Sequence, residues 1–163
     1  MKKFYIKQKV FSFTDKYRIF NEYEEEVYFA KKNLMFDELH LIRKSDNKEV
    51  FFIRRKIFSF ISKYFLHREN LVVASIAKKI TFFSNKFDIE SKYGNFRIDG
   101  DWLAHDFIIY NNSDKMASIH KAYLSFGDCY EITVNSNENE KIEFYLALVI
   151  MIDNCIHNNR NNN

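Results

Sequence analysis

The residues best suited to bind a ligand are basic, and they are concentrated in one part of the sequence. Between Arg43 and Lys86 there are eleven Lys or Arg and only three Asp or Glu, a balance of +8, whereas the whole chain carries +3. A concentrated basic surface attracts phosphate groups through long-range electrostatics and through direct Arg and Lys contacts. The segment therefore predicts a surface for phosphate groups, such as those of anionic lipid, phosphoinositide or nucleic acid, with six candidate contact residues: Arg54, Arg55, Lys56, Lys63, Lys78 and Lys79.

A second interpretation places the same residues at ordinary solvated positions on the outer face of strands. Lys also protects strand edges from pairing, and neighbours such as Arg54 and Arg55 point to opposite faces of a strand. Nucleic acid is not expected as a partner, because the sequence has no recognised RNA- or DNA-binding motif and a pI of only 8.7. Anionic membrane lipid is the first candidate partner, and a protein partner is left open.

Catalysis and metal binding are not expected. The segment Asp99–Asp106 brings carboxylates close to His105, but a hairpin corner scatters such side chains, so we interpret it as turn polarity that satisfies loop amides. Cys129 and Cys155 lack the spacing of a zinc site or a disulfide framework. There is no Gly-rich phosphate loop. The sequence thus predicts a protein that is not an enzyme, with no catalytic residues, no metal ligands and no cofactor.

A repeat in the sequence predicts the strands that position these residues. A Lys-x-aromatic pattern recurs along the chain, and its gaps of 25, 22, 24, 20 and 21 residues leave room for two strands and a corner in each period. The aromatic markers of the six periods are Phe11, Phe36, Phe58, Phe82, Trp102 and Tyr123. Six periods predict about twelve strands.

Twelve short runs rich in β-branched or aromatic residues match this count. Several of them alternate between apolar and polar residues, as in Tyr130–Val134, which indicates one buried and one wet face. The turns use Asn, Asp and Ser in place of Gly, as in Ser45–Lys48 and Asn111–Asp114. The predicted strands are 4–9, 17–21, 27–31, 39–43, 50–55, 64–68, 71–76, 87–90, 96–99, 107–110, 116–120 and 130–134.

The last element has a different pattern. From Glu140 to Ile156 the period of two is lost, and Phe144–Ile152 is apolar on every side, which indicates a buried helix too short to span a membrane. A buried strand is the alternative for this run. The fold class predicted is mainly β: a single twelve-stranded closed antiparallel β-barrel that encloses a hydrophobic C-terminal α-helix.

The chain is expected to form one domain over residues 1–157, followed by a disordered Asn-rich tail over 158–163. No apolar run reaches the length of a spanning helix, and the first nine residues do not form a signal-peptide core, so we expect a cytoplasmic protein. A peripheral membrane location stays open, and the oligomeric state is not determined by the sequence.

These segments resemble the LURP-one-related family of the tubby-like superfamily, which also includes the phospholipid scramblases. The resemblance covers nearly the whole chain and rests on Tyr5–Phe13, Arg54–Ser59, Phe96–Trp102, Lys121–Asp128 and Leu146–Asp153. It implies a twelve-stranded barrel around a central C-terminal helix. It also implies phosphoinositide binding or action at membranes, by similarity to tubby proteins and scramblases. The chain departs from scramblases because it lacks their Pro-rich leader and Cys cluster. The alternative function is an intracellular scaffold or small-ligand-binding barrel with no lipid role.

Overall fold

A computed structural model of the chain describes residues 1–8, 14–56, 63–80, 85–101, 103–125 and 127–160. These residues form twelve strands and one long helix, α1, over Asn139–Arg160. The strands are β1 Lys2–Gln8, β2 Asp15–Asn21, β3 Glu26–Asn33, β4 Glu38–Arg43, β5 Lys48–Arg55, β6 Lys63–Arg68, β7 Leu71–Ile80, β8 Asn85–Ser91, β9 Phe96–Asp101, β10 Asp106–Asn111, β11 Asp114–Leu124 and β12 Gly127–Val134.

All twelve strands belong to one antiparallel sheet that curls into a barrel. The hydrogen-bonded order runs from β8 back to β1 and then through β12, β11 and β10 to β9. The two edge strands, β8 and β9, lie beside each other, and no ladder joins them in the residues described. The predicted mainly-β barrel with its helix is therefore confirmed, as a nearly closed barrel.

Every predicted strand is present, in the predicted order and one to six residues longer, although Lys9, the last residue of the predicted first strand, lies outside the described residues. The turn residues also behave as predicted, because Asn47 and Asn112 adopt left-handed backbone conformations with φ of 53° and 55°. Asn and Asp tolerate this region better than other residues with a side chain. The aromatic markers Phe36 and Tyr123 lie at a turn and at a strand end, whereas Phe11, Phe58, Phe82 and Trp102 lie outside the described residues.

The helix fills the barrel, because every side chain from Ile142 to Asp153 is buried. Phe144 packs against rings from two different strands, with centroids 6.3 Å from Phe51 on β5 and 5.5 Å from Phe96 on β9. A helix that is apolar all round is stable only where every face is covered, and the inward side chains of the strands provide that cover. The buried-helix interpretation is therefore correct.

The helix continues through Arg160 and so extends into the segment predicted as a tail. Asn158 to Arg160 prolong the last turns of α1, and residues 161–163 lie outside the described ones. The domain boundary at residue 157 stays a prediction. Among the residues described, no helix combines the length and apolar character needed to cross a bilayer.

The two ends of the barrel are distinguished by the ends of α1. At the N-end, Arg43 Nε donates to Glu143 Oε1 at 2.8 Å, close to where the helix begins. At the C-end, where the helix finishes, the Tyr17 hydroxyl donates to Asp153 Oδ2 at 2.6 Å. The strands alternate in direction, so β1, β3, β5, β7, β9 and β11 all finish at the C-end.

Candidate functional site

The six candidate basic residues come from three stretches of sequence and lie at the C-end of three neighbouring strands. Arg54 and Arg55 end β5 and Lys56 follows them, while Lys63 begins β6. The Lys56 amide donates to the Lys63 carbonyl at 2.8 Å, and the Cα partner of Lys63 on β7 is Ala77, directly before Lys78 and Lys79. The ends of β5, β6 and β7 thus form the candidate headgroup surface.

The side chains of this set do not all share a face. Arg54 and Lys56 are exposed, whereas Arg55 is half-buried. Strand alternation places Arg54, Lys56 and Lys63 on the outer face and Arg55 on the face of the buried Ile53. Lys78 and Lys79 are placed by their backbone register alone, opposite Phe87 and Lys86. The structure therefore brings Arg54, Lys56 and Lys63 together and separates Arg55 from them.

Arg54 is committed to a structural ion pair. Its Nε donates to Glu38 Oε1 at 2.7 Å, and a second guanidinium nitrogen contacts the same carboxylate. Glu38 is buried, so the guanidinium replaces the hydration that its carboxylate loses on folding. The guanidinium also lies 5.4 Å from the centre of the Phe52 ring. Arg54 therefore stabilises the barrel wall through Glu38. A substitution of Arg54 would disturb this ion pair, so it is a poor choice for a binding test.

The other cations of the surface are more available. Lys63 Nζ is 3.3 Å from Glu90 Oε2, an exposed pair that contributes little in water. In the part of the chain that the structure describes, Arg55 and Lys56 form no ion pair with a carboxylate. Lys56 and Lys63 are therefore the outer-face residues best placed to meet an anionic partner.

A row of aromatic and imidazole rings crosses the outer face beside Arg54. The Phe52 ring centroid is 5.7 Å from that of His40 and 4.4 Å from that of His67, with the second pair nearly parallel. Burial, and then the Arg54 charge, lower the pKa of His67. The register of β4, β5 and β6 brings together two histidines that are far apart in sequence.

This row does not form a metal site. In the ranges described, no group of three or more His, Cys, Asp or Glu side chains is arranged to hold a metal ion. His40 Nδ1 is instead 2.6 Å from Glu49 Oε2, a surface contact. The rings and their carboxylate partners therefore act as packing for the wall.

A second polar cluster closes the C-end of the barrel around Asp153. His105 Nε2 lies 2.7 Å from Asp153 Oδ1, and the His105 ring stacks on Tyr130 with centroids 4.6 Å apart. Burial, and then the Asp153 charge, hold the pKa values of Tyr17 and Tyr130 well above the ordinary range. The Tyr130 hydroxyl has no hydrogen-bond partner among the described residues.

The polar side chains of Asp99–Asp106 have different partners, and that of His105 lies outside the turn. Asp101 does satisfy loop amides, since its Oδ1 accepts from Leu103 N at 3.0 Å and from Ala104 N at 3.1 Å. His105 instead adopts a left-handed backbone conformation, with φ of 54°, and reaches the buried carboxylate of α1. Nothing local in the sequence signals this contact, because its partner lies 48 residues away.

The N-end has a cleft of about 490 Å³ that also contains basic residues. Its cations are largely paired: Lys3 Nζ is 3.2 Å from Glu131, Arg43 contacts both Asp46 and Glu143, and Lys44 Nζ is 3.9 Å from Glu26. These carboxylates offset the positive charge, so the N-end is the weaker candidate for an anion-binding surface.

The buried tyrosines at the N-end predict loss of stability at alkaline pH. Burial, and then Glu143, raise the pKa of Tyr28 to about 12, and burial raises that of Tyr145 to about 12. A tyrosine in the unfolded chain ionises near pH ~10. The contribution of the neutral, buried tyrosine to the free energy of unfolding is therefore complete below that pH and is lost as the pH rises towards about 12. Each tyrosine accounts for roughly 2–3 kcal/mol across this window.

We therefore expect Tyr28→Phe to flatten the fall in the free energy of unfolding between about pH 10 and 12, as measured by urea titration. Tyr23→Phe is the control, because Tyr23 is exposed. Equal alkaline slopes for Tyr28→Phe and the unmodified protein would show that Tyr28 ionises as easily in the native state as in the unfolded one.

A nearly closed twelve-stranded barrel that is filled by its C-terminal helix is the architecture of tubby-like proteins. The model of the LURP-one-related family matches residues 2–153, and the chain belongs to this family. The resemblance to the LURP-one-related family that was inferred from the sequence is thereby confirmed. The family and the fold point to a binding module rather than an enzyme.

Two known proteins are similar over nearly their whole length. The uncharacterized protein YxjI of Bacillus subtilis (strain 168) is 28% identical over 156 residues, which cover 94% of this chain and 93% of YxjI. The X-ray structure of the Arabidopsis thaliana protein AT5G01750 superposes with a TM-score of 0.62 at 18% identity, covering 93% of this chain and 90% of that one. The second likeness shows that the fold is shared.

Proposed function

We propose that the chain is a non-enzymatic binding module that docks peripherally on anionic phospholipid headgroups through the C-end of β5, β6 and β7. The observation that carries the proposal is the convergence of basic residues from three stretches of sequence on neighbouring strand ends. Each Lys or Arg near an anionic bilayer surface contributes about 1 kcal/mol of attraction. A few such residues on one rigid wall are enough for reversible binding from the cytoplasm.

The small-ligand alternative is supported by a different feature. A cavity of about 430 Å³ at the N-end is lined by Met116, Phe144 and Tyr145 together with polar residues. The barrel interior itself is occupied by α1, so a small ligand would have to bind at this rim. We rank the alternative second, because the cavity lies between the turns and the start of the helix, and its charged lining residues are paired, Lys141 with Glu138 and Glu140 with Arg68.

The test of lipid binding is co-sedimentation with phosphatidylcholine vesicles, with and without phosphatidylserine. Lys56→Glu combined with Lys63→Glu is expected to reduce binding to the anionic vesicles at least about tenfold, because two attractive charges become repulsive. Arg54 is left unchanged, since a glutamate there would face the buried Glu38 and would test the fold instead.

A matched control comes from the same basic segment. Lys44→Glu combined with Lys48→Glu makes the same change in net charge but lies at the N-end, where Lys44 is in the turn between β4 and β5 and Lys48 begins β5. We expect this control to bind almost as well as the unmodified protein. Equal losses of vesicle binding in both double variants would mean that net charge alone determines binding. Binding that is independent of phosphatidylserine would contradict the proposal.

A further inference from the structure

The turn between β3 and β4 presents three consecutive apolar side chains to solvent at the C-end. Leu34, Met35 and Phe36 are exposed to 62%, 82% and 57%. Adjacent large apolar side chains that are exposed to solvent are uncommon in folded proteins and mark contact sites. Their exposure therefore requires an explanation beyond turn formation.

The backbone of this turn is held by polar groups on either side of the apolar residues. Asn33 Oδ1 accepts a hydrogen bond from Met35 N at 3.1 Å. Asp37 has a φ of 51°, and its Oδ1 is 2.8 Å from Lys32 Nζ. These contacts fix the turn while the three apolar side chains project from its tip. Specific contacts therefore hold the conformation of the tip, which does not result from local fraying.

Further apolar side chains are exposed at the same end of the barrel. Leu103, in the turn between β9 and β10, is 46% exposed, and Tyr123, near the end of β11, is 69% exposed. At the N-end the turn between β4 and β5 is polar, with Lys44, Ser45, Asp46 and Asn47. Leu71 and Val72 are also exposed at the N-end, next to Glu69. They provide a matched comparison for the exposed apolar residues of the turn between β3 and β4.

The charge around the tip decides which partner it fits. The next hairpin around the barrel is β5–β6, whose C-end carries Arg55, Lys56 and Lys63. An apolar tip with basic residues beside it matches the two layers of an anionic membrane surface, where phosphates lie above the acyl chains. A purely apolar protein partner would leave Arg55 and Lys56, which form no ion pair among the described residues, without counter-charges.

We propose that Leu34, Met35 and Phe36 form an anchor that inserts at the boundary between headgroups and acyl chains while the neighbouring basic residues meet the anionic headgroups. The inference rests on the proposed lipid-binding function and deepens it, since it orients the barrel with its C-end towards the bilayer. Insertion of this kind places an apolar face about 5–10 Å into the interface.

The insertion is tested by an environment-sensitive fluorophore on Met35→Cys. The two native cysteines, Cys129 and Cys155, are buried, so an added surface cysteine reacts selectively. With phosphatidylserine-containing vesicles we expect a blue shift of the emission and quenching by lipids brominated on their acyl chains. The same label on Leu71→Cys, at the N-end, is expected to show neither.

The second measurement compares two serine double variants in vesicle co-sedimentation. Met35→Ser combined with Phe36→Ser is expected to weaken binding by about tenfold or more, because burying one large apolar side chain is worth at least that factor. Leu71→Ser combined with Val72→Ser removes as many exposed apolar side chains at the other end and is expected to bind normally. Equal effects of the two double variants would overturn the anchor.

The outcomes separate this inference from the proposed function. Vesicle binding that depends on phosphatidylserine but leaves the Met35→Cys label unquenched would overturn the anchor and retain headgroup binding. No vesicle binding at all would overturn both. A change in sedimentation velocity without vesicles, caused only by the Met35 and Phe36 substitutions, would assign the tip to contact between copies of the chain and would also overturn the anchor.

Discussion

Leu148→Asp is expected to leave the chain unfolded at 25 °C. Leu148 is completely buried in the middle of α1, where the barrel wall surrounds it on all sides. An aspartate there would lose its hydration without gaining a partner, at a cost of several kcal/mol in addition to the lost packing. A single domain has only about 5–15 kcal/mol of total stability. Circular dichroism should show loss of the cooperative thermal transition.

The control is Lys141→Asp, which places the same side chain on the first turn of the same helix. Lys141 is exposed, and an acidic residue near a helix N-terminus is favoured by the helix dipole. We expect a melting temperature within a few degrees of the unmodified protein. A folded and cooperative Leu148→Asp variant would show that the barrel does not require α1 as its core.

Asp153→Ala is expected to lower the free energy of unfolding by roughly 3–5 kcal/mol, because it leaves buried polar partners unsatisfied. The Tyr17 hydroxyl and the His105 ring both lose the carboxylate that they contact at 2.6 and 2.7 Å. Asp153→Asn keeps an oxygen acceptor for Tyr17 and should lose about half as much. Urea denaturation of both variants measures the difference.

The matched control is an exposed histidine–aspartate pair with similar geometry. His120 Nδ1 lies 2.6 Å from Asp106 Oδ1, but the side chains are 52% and 67% exposed. Asp106→Ala should therefore cost less than about 1 kcal/mol. Comparable losses for Asp106→Ala and Asp153→Ala would mean that burial does not set the strength of the Asp153 contacts.

The fold was predictable because its signals are local and repeated. Alternation in segments such as Tyr130–Val134 identifies strands, and the period of 20 to 25 residues corresponds to one hairpin. The uniform apolar run Phe144–Ile152 has no exposed face and therefore has to be enclosed. The boundary of the helix was less predictable, since the polar residues Asn158 to Arg160 prolong α1 without contributing an apolar pattern.

The candidate site was predictable in composition but not in detail. The charge excess between Arg43 and Lys86 identifies the region, whereas the commitment of Arg54 to Glu38 depends on the register of β4 against β5. The contact between His105 and Asp153 depends on where a turn meets the end of the helix. The apolar tip at Leu34 to Phe36 fits the aromatic-corner repeat, so sequence alone does not distinguish an exposed corner from a buried one.

Hydrogen–deuterium exchange with and without phosphatidylserine-containing vesicles tests most directly the proposal that the C-end of the barrel docks on an anionic membrane. We expect slower amide exchange at the C-end, in the turn over Leu34 to Asp37 and at Lys56 and Lys63. We expect unchanged exchange at the N-end, in the turn over Lys44 to Asn47. Protection confined to the N-end turns, or no protection at either end under conditions where the protein co-sediments, would contradict docking through the C-end.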